Sequence, residues 1–179
     1  MIVCYMGGTC GDLICALFDS EPADMYNNRV ILSSERQHLK KPHTFDNNEG
    51  KDQYLDNISK IYKSIPSHDI EYHIQRQHEF VGIVVEQLDT ALWSSQRFKE
   101  LHKPHVWKEM QRSCGAKSVE EYAQMMLDYS YMIKQHTSKI ITLEEILNGQ
   151  AVKKLQSMVK EQLNSNFYHQ WLKVQHGTS

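Results

Sequence analysis

Reactive side chains concentrate in two short stretches of the chain. The first is Gly7-Gly8-Thr9-Cys10-Gly11-Asp12. A glycine-rich turn that opens a helix aims backbone N–H groups and the helix N-terminus at one spot, which suits a phosphate or sulfate. Glycine permits the close approach and the positive φ that a Cβ would obstruct. The second stretch is Ser67-His68-Asp69, set just after Pro66 and followed by Glu71 and His73. Histidine titrates near neutrality, so His68 is the natural base for a hydroxyl proton. Asp69 is suited to orient it, to act as the base itself or to hold Mg²⁺. Each stretch has a plainer alternative. Asp12 also fits the N-cap or first turn of an ordinary strand-to-helix turn. Ser67 or Asp69 equally fits the cap of a helix over Ile70 to Gln75. His68, His73 and His78 follow at a spacing that does not stack them on one helix face, so no metal site is expected.

Moving a phosphoryl or sulfuryl group requires positioning, positive charge on the transferred group and a base for the acceptor. The glycine loop has no lysine. Arg76, Arg97 and Lys99 are the nearest cations in sequence terms, and Lys40 and Lys41 are more remote. Arg97 follows Ser94 and Ser95 on one predicted helix. For each cation a solvent-facing position is the alternative. The basic, histidine-bearing run from Glu35 to Lys41 reads either as a solvated surface or as a lobe touching an anionic substrate.

The elements that hold these residues are readable from hydrophobic period. Ile2 to Met6 and Phe80 to Val85 are apolar runs of buried-strand type, and Lys139 to Thr142 is a third, shorter one. Arg29 to Leu32 is a further short candidate. Pro66 argues against a central strand where it stands. Helical spacing marks the segments starting at Leu13, Lys51 and Leu88, with Leu88, Ala91, Leu92, Ser95, Phe98 and Leu101 on one side of the last. Pro104 starts a shorter piece, closed by Cys114-Gly115. Ser118 with Glu121, and Thr142 with Glu145, are capping-box pairs. Tyr122, Met125, Met126, Tyr129 and Ile133 form a stripe that belongs to the core. Val152 to Leu163 reads as the last long helix, with Phe167, Trp171 and Leu172 docking the C-terminal segment. Strands alternating with helices imply a small parallel sheet, whose ligands sit at the carboxyl ends of the strands.

The 179 residues are enough for one domain with a real core, and 40 % are apolar and 23 % charged. A formal net charge of −2 argues against a dominating electrostatic footprint for nucleic acid. Cys4, Cys10, Cys15 and Cys114 show no metal-ligand spacing and read as reduced thiols, so a cytoplasmic location is expected. No run is long and apolar enough for a membrane span, and no signal peptide is recognisable.

The order of these parts resembles the sulfotransferase-like branch of P-loop proteins. In that family a first strand enters an anion-binding loop, and a later segment ends in a catalytic histidine. A strand then ends in an arginine, with a serine eight residues on, both gripping the donor's 3′-phosphate. A late strand finally enters a helix. The matching positions are Gly7 to Asp12, Ser67-His68-Asp69, Phe80 to Val85 with Glu86 and Ser94, and Ile140 to Leu147. The Gly-Gly-Thr-Cys-Gly-Asp-Leu start and the Ser-His-Asp segment are also similar to small tailed-bacteriophage proteins. Some phage P-loop proteins are kinases acting on 5-hydroxymethyl-deoxyuridine in DNA. The resemblance implies a helix-rich α/β fold: a small parallel sheet flanked by helices, with P-loop (sulfotransferase-like) architecture, in a single domain over residues 1–179. It implies a nucleotide-dependent transferase that moves a sulfuryl or phosphoryl group to a hydroxyl acceptor, with a nucleotide or DNA among the acceptors. His68 and Asp69 are the implied catalytic pair. Gly7, Gly8, Thr9, Cys10, Gly11, Asp12, Ser94 and Arg97 are the implied contacts to a donor, either ATP with Mg²⁺ or 3′-phosphoadenosine 5′-phosphosulfate. The expected location becomes the host cytoplasm for a phage-encoded chain. Glu86 stands at the family's arginine position and the loop lacks lysine. A non-catalytic interaction protein on a degenerate loop is therefore the alternative.

Overall fold

The computed structural model describes residues 1–19, 24–26, 29–41 and 45–176. The apolar run after Met1 forms β1 (Ile2–Cys4), fully buried. It is flanked by β4 (Ile65–Ser67) and by β5 (Phe80–Val84), and β6 (Ile140–Thr142) lies beyond β5. All three pairings are parallel, with Val3 opposite Pro66 on one side and Val81 on the other. Pro66 is tolerated because β4 is an edge strand. The Ile65 N–H bonds inward to the Met1 carbonyl, so the position of the missing proline N–H faces the outer side. Arg29–Ile31 is a strand as expected, but it pairs antiparallel with Asp24–Tyr26 in a separate hairpin (β2, β3) rather than joining the sheet.

Helices link and cover these strands. They are α1 (Gly11–Ala16), a 3-10 helix (Ser34–Lys40), α2 (Asn48–Ser59), α3 (Ile70–Gln75), α4 (Leu88–Leu101), α5 (Pro104–Cys114) and α6 (Val119–His136). After β6 come α7 (Leu143–Leu147), α8 (Ala151–Met158) and α9 (Ser165–His176). The helix-rich α/β architecture with a small parallel sheet is thus as expected. Cap chemistry sets several boundaries. Thr142 and Glu145 close a full capping box at α7. At α6, Ser118 accepts from the Glu121 N–H, but the Glu121 carboxylate turns to the Lys117 N–H, so that box is not reciprocal. Gly115 ends α5 at φ +82, where glycine is the favoured residue. The expected long helix from Val152 to Leu163 is shorter than its period suggests. It stops at Val159, which is extended (φ −126, ψ 152), and the chain restarts as α9. Leu88 is half exposed rather than facing inward, and the buried face of α4 is Ala91, Ser94 and Ser95.

Two layers of core pack on the sheet. One joins β1, α1, α8 and α9 through Leu13, Leu17, Leu155, Tyr168 and Trp171. The other side rests on α6, whose Ile133 presses on β5 so closely that a Cβ at Gly82 would sit 2.2 Å from its Cγ2. Gly82→Ala is therefore expected to destabilise the fold by about 1–3 kcal/mol through overpacking. Urea unfolding should show the loss, and trimming the neighbour in a Gly82→Ala/Ile133→Ala double variant should restore part of it.

Candidate functional site

The strand order reverses beside β1. The connection leaving β1 runs to β4 on one side, and the connection leaving β5 runs to β6 on the other. Ligand crevices in open α/β sheets form at such a reversal, outside the carboxyl ends of the strands. The glycine loop occupies that place. Thr9 closes its first turn, with both its N–H and its Oγ1 donating to the Met6 carbonyl, at 3.2 and 2.7 Å. Gly8 (φ +96) and Cys10 (φ +61) are left-handed, and Cys10 is unusual there because it carries a side chain.

The loop's glycines are dictated by packing. A Cβ on Gly11 would lie 2.2 Å from the Tyr5 ring, one on Gly7 would lie 2.9 Å from the Tyr122 hydroxyl, and one on Gly8 would lie 3.1 Å from Ser94 Oγ and Met126 Cε. The positive φ expected of this loop is present at Gly8, and the missing side chains also make room for Tyr5, α4 and α6. Ser94 and Tyr122 fasten the loop by donating to the Gly8 and Gly7 carbonyls, at 2.8 and 3.1 Å.

A cleft of about 150 Å³ opens over this loop. Gly7, Gly8, Cys10, Gly11 and Asp12 line it from the loop, His68 from the end of β4, and Ser94 and Arg97 from α4. The fold thus brings together nearly all the residues that the sequence singles out. Three placements differ. Thr9 is buried with its hydroxyl turned into the loop's own turn, and it does not line the cleft. Asp69 is also outside the lining: it caps α3 by accepting from the Tyr72 N–H at 3.1 Å, and it pairs with Lys51. The plainer alternative, a cap for a helix over Ile70–Gln75, describes it. Glu86 pairs with Lys134 in a largely exposed bridge, away from the cleft lining.

The positive charge comes from a residue that looked remote. Lys40, at the end of the 3-10 helix, lines the cleft and holds both Asp12 oxygens at 2.9 and 2.8 Å. Tyr5 donates to the same carboxylate from below. The basic run is therefore not wholly solvated: Arg36 and Leu39 are buried and Lys40 turns into the site. Arg97 supplies the second cation, and Arg76 is engaged elsewhere, in a two-pronged bridge to Asp52. Phe98 and Trp171 add aromatic wall. The sequence places Phe98 on the apolar side of its helix and docks Trp171 with the C-terminal segment, but assigns neither to a site.

His68 sits at the polar side of the cleft, edge-on to Tyr5 with ring centroids 4.8 Å apart. Its Nε2 is buried and finds no hydrogen-bond partner among the described residues. Burial first, and the Lys40 charge second, lower its pKa to about 3, so the ring is neutral at pH 7. Burial also holds the Cys10 thiol up at about 12, which leaves it a poor nucleophile. Behind the cleft, Ser67 Oγ lies 2.8 Å from His73 Nε2, and His73 Nδ1 lies 3.1 Å from His78 Nδ1. That chain resembles an activated serine, but Ser67 and His73 are fully buried, which excludes substrate. Among the described residues no group of three or more His, Cys, Asp or Glu side chains could hold a metal ion. None of the described helices is long and apolar enough to cross a membrane.

Comparison with protein-family models, curated proteins and solved structures returns no match.

Proposed function

We propose that the chain is a nucleotide-dependent transferase that moves a sulfuryl or phosphoryl group to a hydroxyl acceptor in the cleft at the end of β1. One observation carries the reading: a neutral histidine with an unpartnered buried nitrogen shares this cleft with two cations and the glycine loop. The acceptor oxygen would bond to phosphorus or sulfur as the donor's bridging bond breaks, and the hydroxyl proton would pass to His68 Nε2. Arg97, and Lys40 once released from Asp12, would hold the oxygens of the moving group. Anionic oxygens beside His68 oppose the effect of Lys40 and raise its pKa from the low value of the free protein, which improves it as a base. Asp12, once Lys40 leaves it, would be the carboxylate to hold Mg²⁺ if the donor is ATP. The cleft is smaller than the ~300–1,000 Å³ usual for whole drug-sized ligands, so it suits the transferring end of the donor.

A specific observation favours a second reading. The Ser94 hydroxyl proton, the glycines and Asp12 are all committed to internal contacts. This is the state expected of an interaction protein that kept the loop without the chemistry. Thermal-shift titration against ATP with Mg²⁺, GTP, ADP and 3′-phosphoadenosine 5′-phosphosulfate separates the readings, since a ligand bound to the folded state raises its melting temperature. A shift with ATP and Mg²⁺ supports a kinase acting on a nucleotide or DNA base. A shift with the sulfuryl donor supports a sulfotransferase. No shift with any supports the interaction protein.

A further inference from the structure

Arg97 is held in an unusual way for a cation in a cleft wall. Its guanidinium carbon lies 5.2 Å from the centroid of the Trp93 ring, which supports one face. Among the described residues no carboxylate is within ion-pair distance of it. Its polar partner is the amide oxygen of Gln175, near the end of α9. An amide brings no charge to a guanidinium. The other end of the same amide, Nε2, is buried and has no hydrogen-bond partner among the described residues. A side chain that meets one need and leaves its own donor buried and unsatisfied is a weak permanent partner. The planar guanidinium fork matches the two parallel oxygens of an oxyanion far better than one amide oxygen.

We propose that Gln175 is a displaceable placeholder at an oxyanion subsite centred on Arg97, and that a phosphoryl, sulfuryl or carboxylate group entering the cleft takes its place. The design of α9 suits this. Phe167, Tyr168 and Trp171 are buried and anchor the first half of the helix, and Trp171 itself lines the cleft. The last turn is more exposed, with Val174 44 % exposed, and His176 holds it to the Leu147 carbonyl, so the Gln175 side chain can swing away while the helix stays docked. His68 Nε2, an unpartnered buried atom in the same cleft's lining as Arg97, gives the cleft a second polar group for a ligand that carries a hydroxyl. The proposal rests on reading the cleft as an oxyanion site and goes further in saying what occupies it before the ligand arrives and how tightly.

The test is calorimetric titration of pyrophosphate into the full chain at fixed ionic strength. Gln175→Ala, and Gln175→Asn whose shorter amide cannot reach, should each bind roughly tenfold or more tighter than the unaltered chain, the factor expected for removing one competing hydrogen bond between an amide and a charged group. Gln175→Glu sets a carboxylate against Arg97 and should weaken binding about tenfold or more. In an Arg97→Ala background Gln175→Ala should bring no gain. The proposal is overturned if Gln175→Ala and Gln175→Asn bind pyrophosphate no better than the unaltered chain, or if no variant binds it. A gain with pyrophosphate but no thermal shift with any nucleotide donor would refute the transferase reading and leave the placeholder standing.

Discussion

Lowering the pH from 7 to 5 is expected to remove about 4 kcal/mol of folding stability, mainly through two histidines that the fold keeps neutral. Burial lowers His68 to about 3, and burial together with the His78 charge lowers His73 to about 4, from an ordinary 6.5. His78 shifts in the same direction, chiefly by burial. The sign follows from where the protons go. Below 6.5 the unfolded chain protonates these rings and the folded chain does not, so unfolding takes up protons. The stability is full above about 6.5 and falls as the pH drops toward the folded values. Near pH 5 the slope should approach two protons, about 2.7 kcal/mol per pH unit. Urea unfolding at a series of pH values measures it, and His68→Gln should roughly halve the slope. A flat stability between pH 7 and 5 would mean that these rings are not sealed from water.

The second large effect concerns turnover. His68→Ala should lower it about 10²–10⁴-fold while leaving donor affinity nearly unchanged, because the base acts on the acceptor and not on the donor. Asp69→Ala is the control. Asp69 caps α3 and pairs with Lys51, so its loss should lower stability by about 1 kcal/mol and leave turnover intact. A His68→Ala variant with full activity on a verified acceptor would place the base elsewhere. Tyr5, already hydrogen-bonded to Asp12, would then be the next residue to examine.

Local patterns made part of this legible. The runs Ile2 to Met6 and Phe80 to Val85 are apolar on both faces, which is what a central parallel strand requires, and they became β1 and β5. Thr142 with Glu145 fixed the start of α7 through chemistry confined to four residues. The glycine loop follows the first strand as expected, but the strand that ends just before His68 was not legible, because Pro66 argues against a central strand and β4 is an edge strand. What was not legible depends on distant contacts. Lys40 and Asp12 meet because the 3-10 helix docks on the β4 edge, where the His68 N–H bonds to the Leu39 carbonyl. No periodicity records that. The reason for Gly11 is the Tyr5 ring beneath it, and the reason for Gly7 is a tyrosine on α6. The break at Val159 carries no proline or glycine. The apolar spacing continues through it, and only the packing of Leu163, Phe167 and Trp171 against α1 and β1 shows that the chain turns there.

The claim that the cleft binds a donor by its oxyanion is tested most directly by calorimetric titration of ATP with Mg²⁺, and separately of 3′-phosphoadenosine 5′-phosphosulfate, into the unaltered chain and into Arg97→Ala. One donor should bind the unaltered chain, and Arg97→Ala should bind it at least about tenfold more weakly, as befits the loss of a charge-assisted pair. Equal affinity in the two proteins, or no binding of either donor to the unaltered chain, would contradict it.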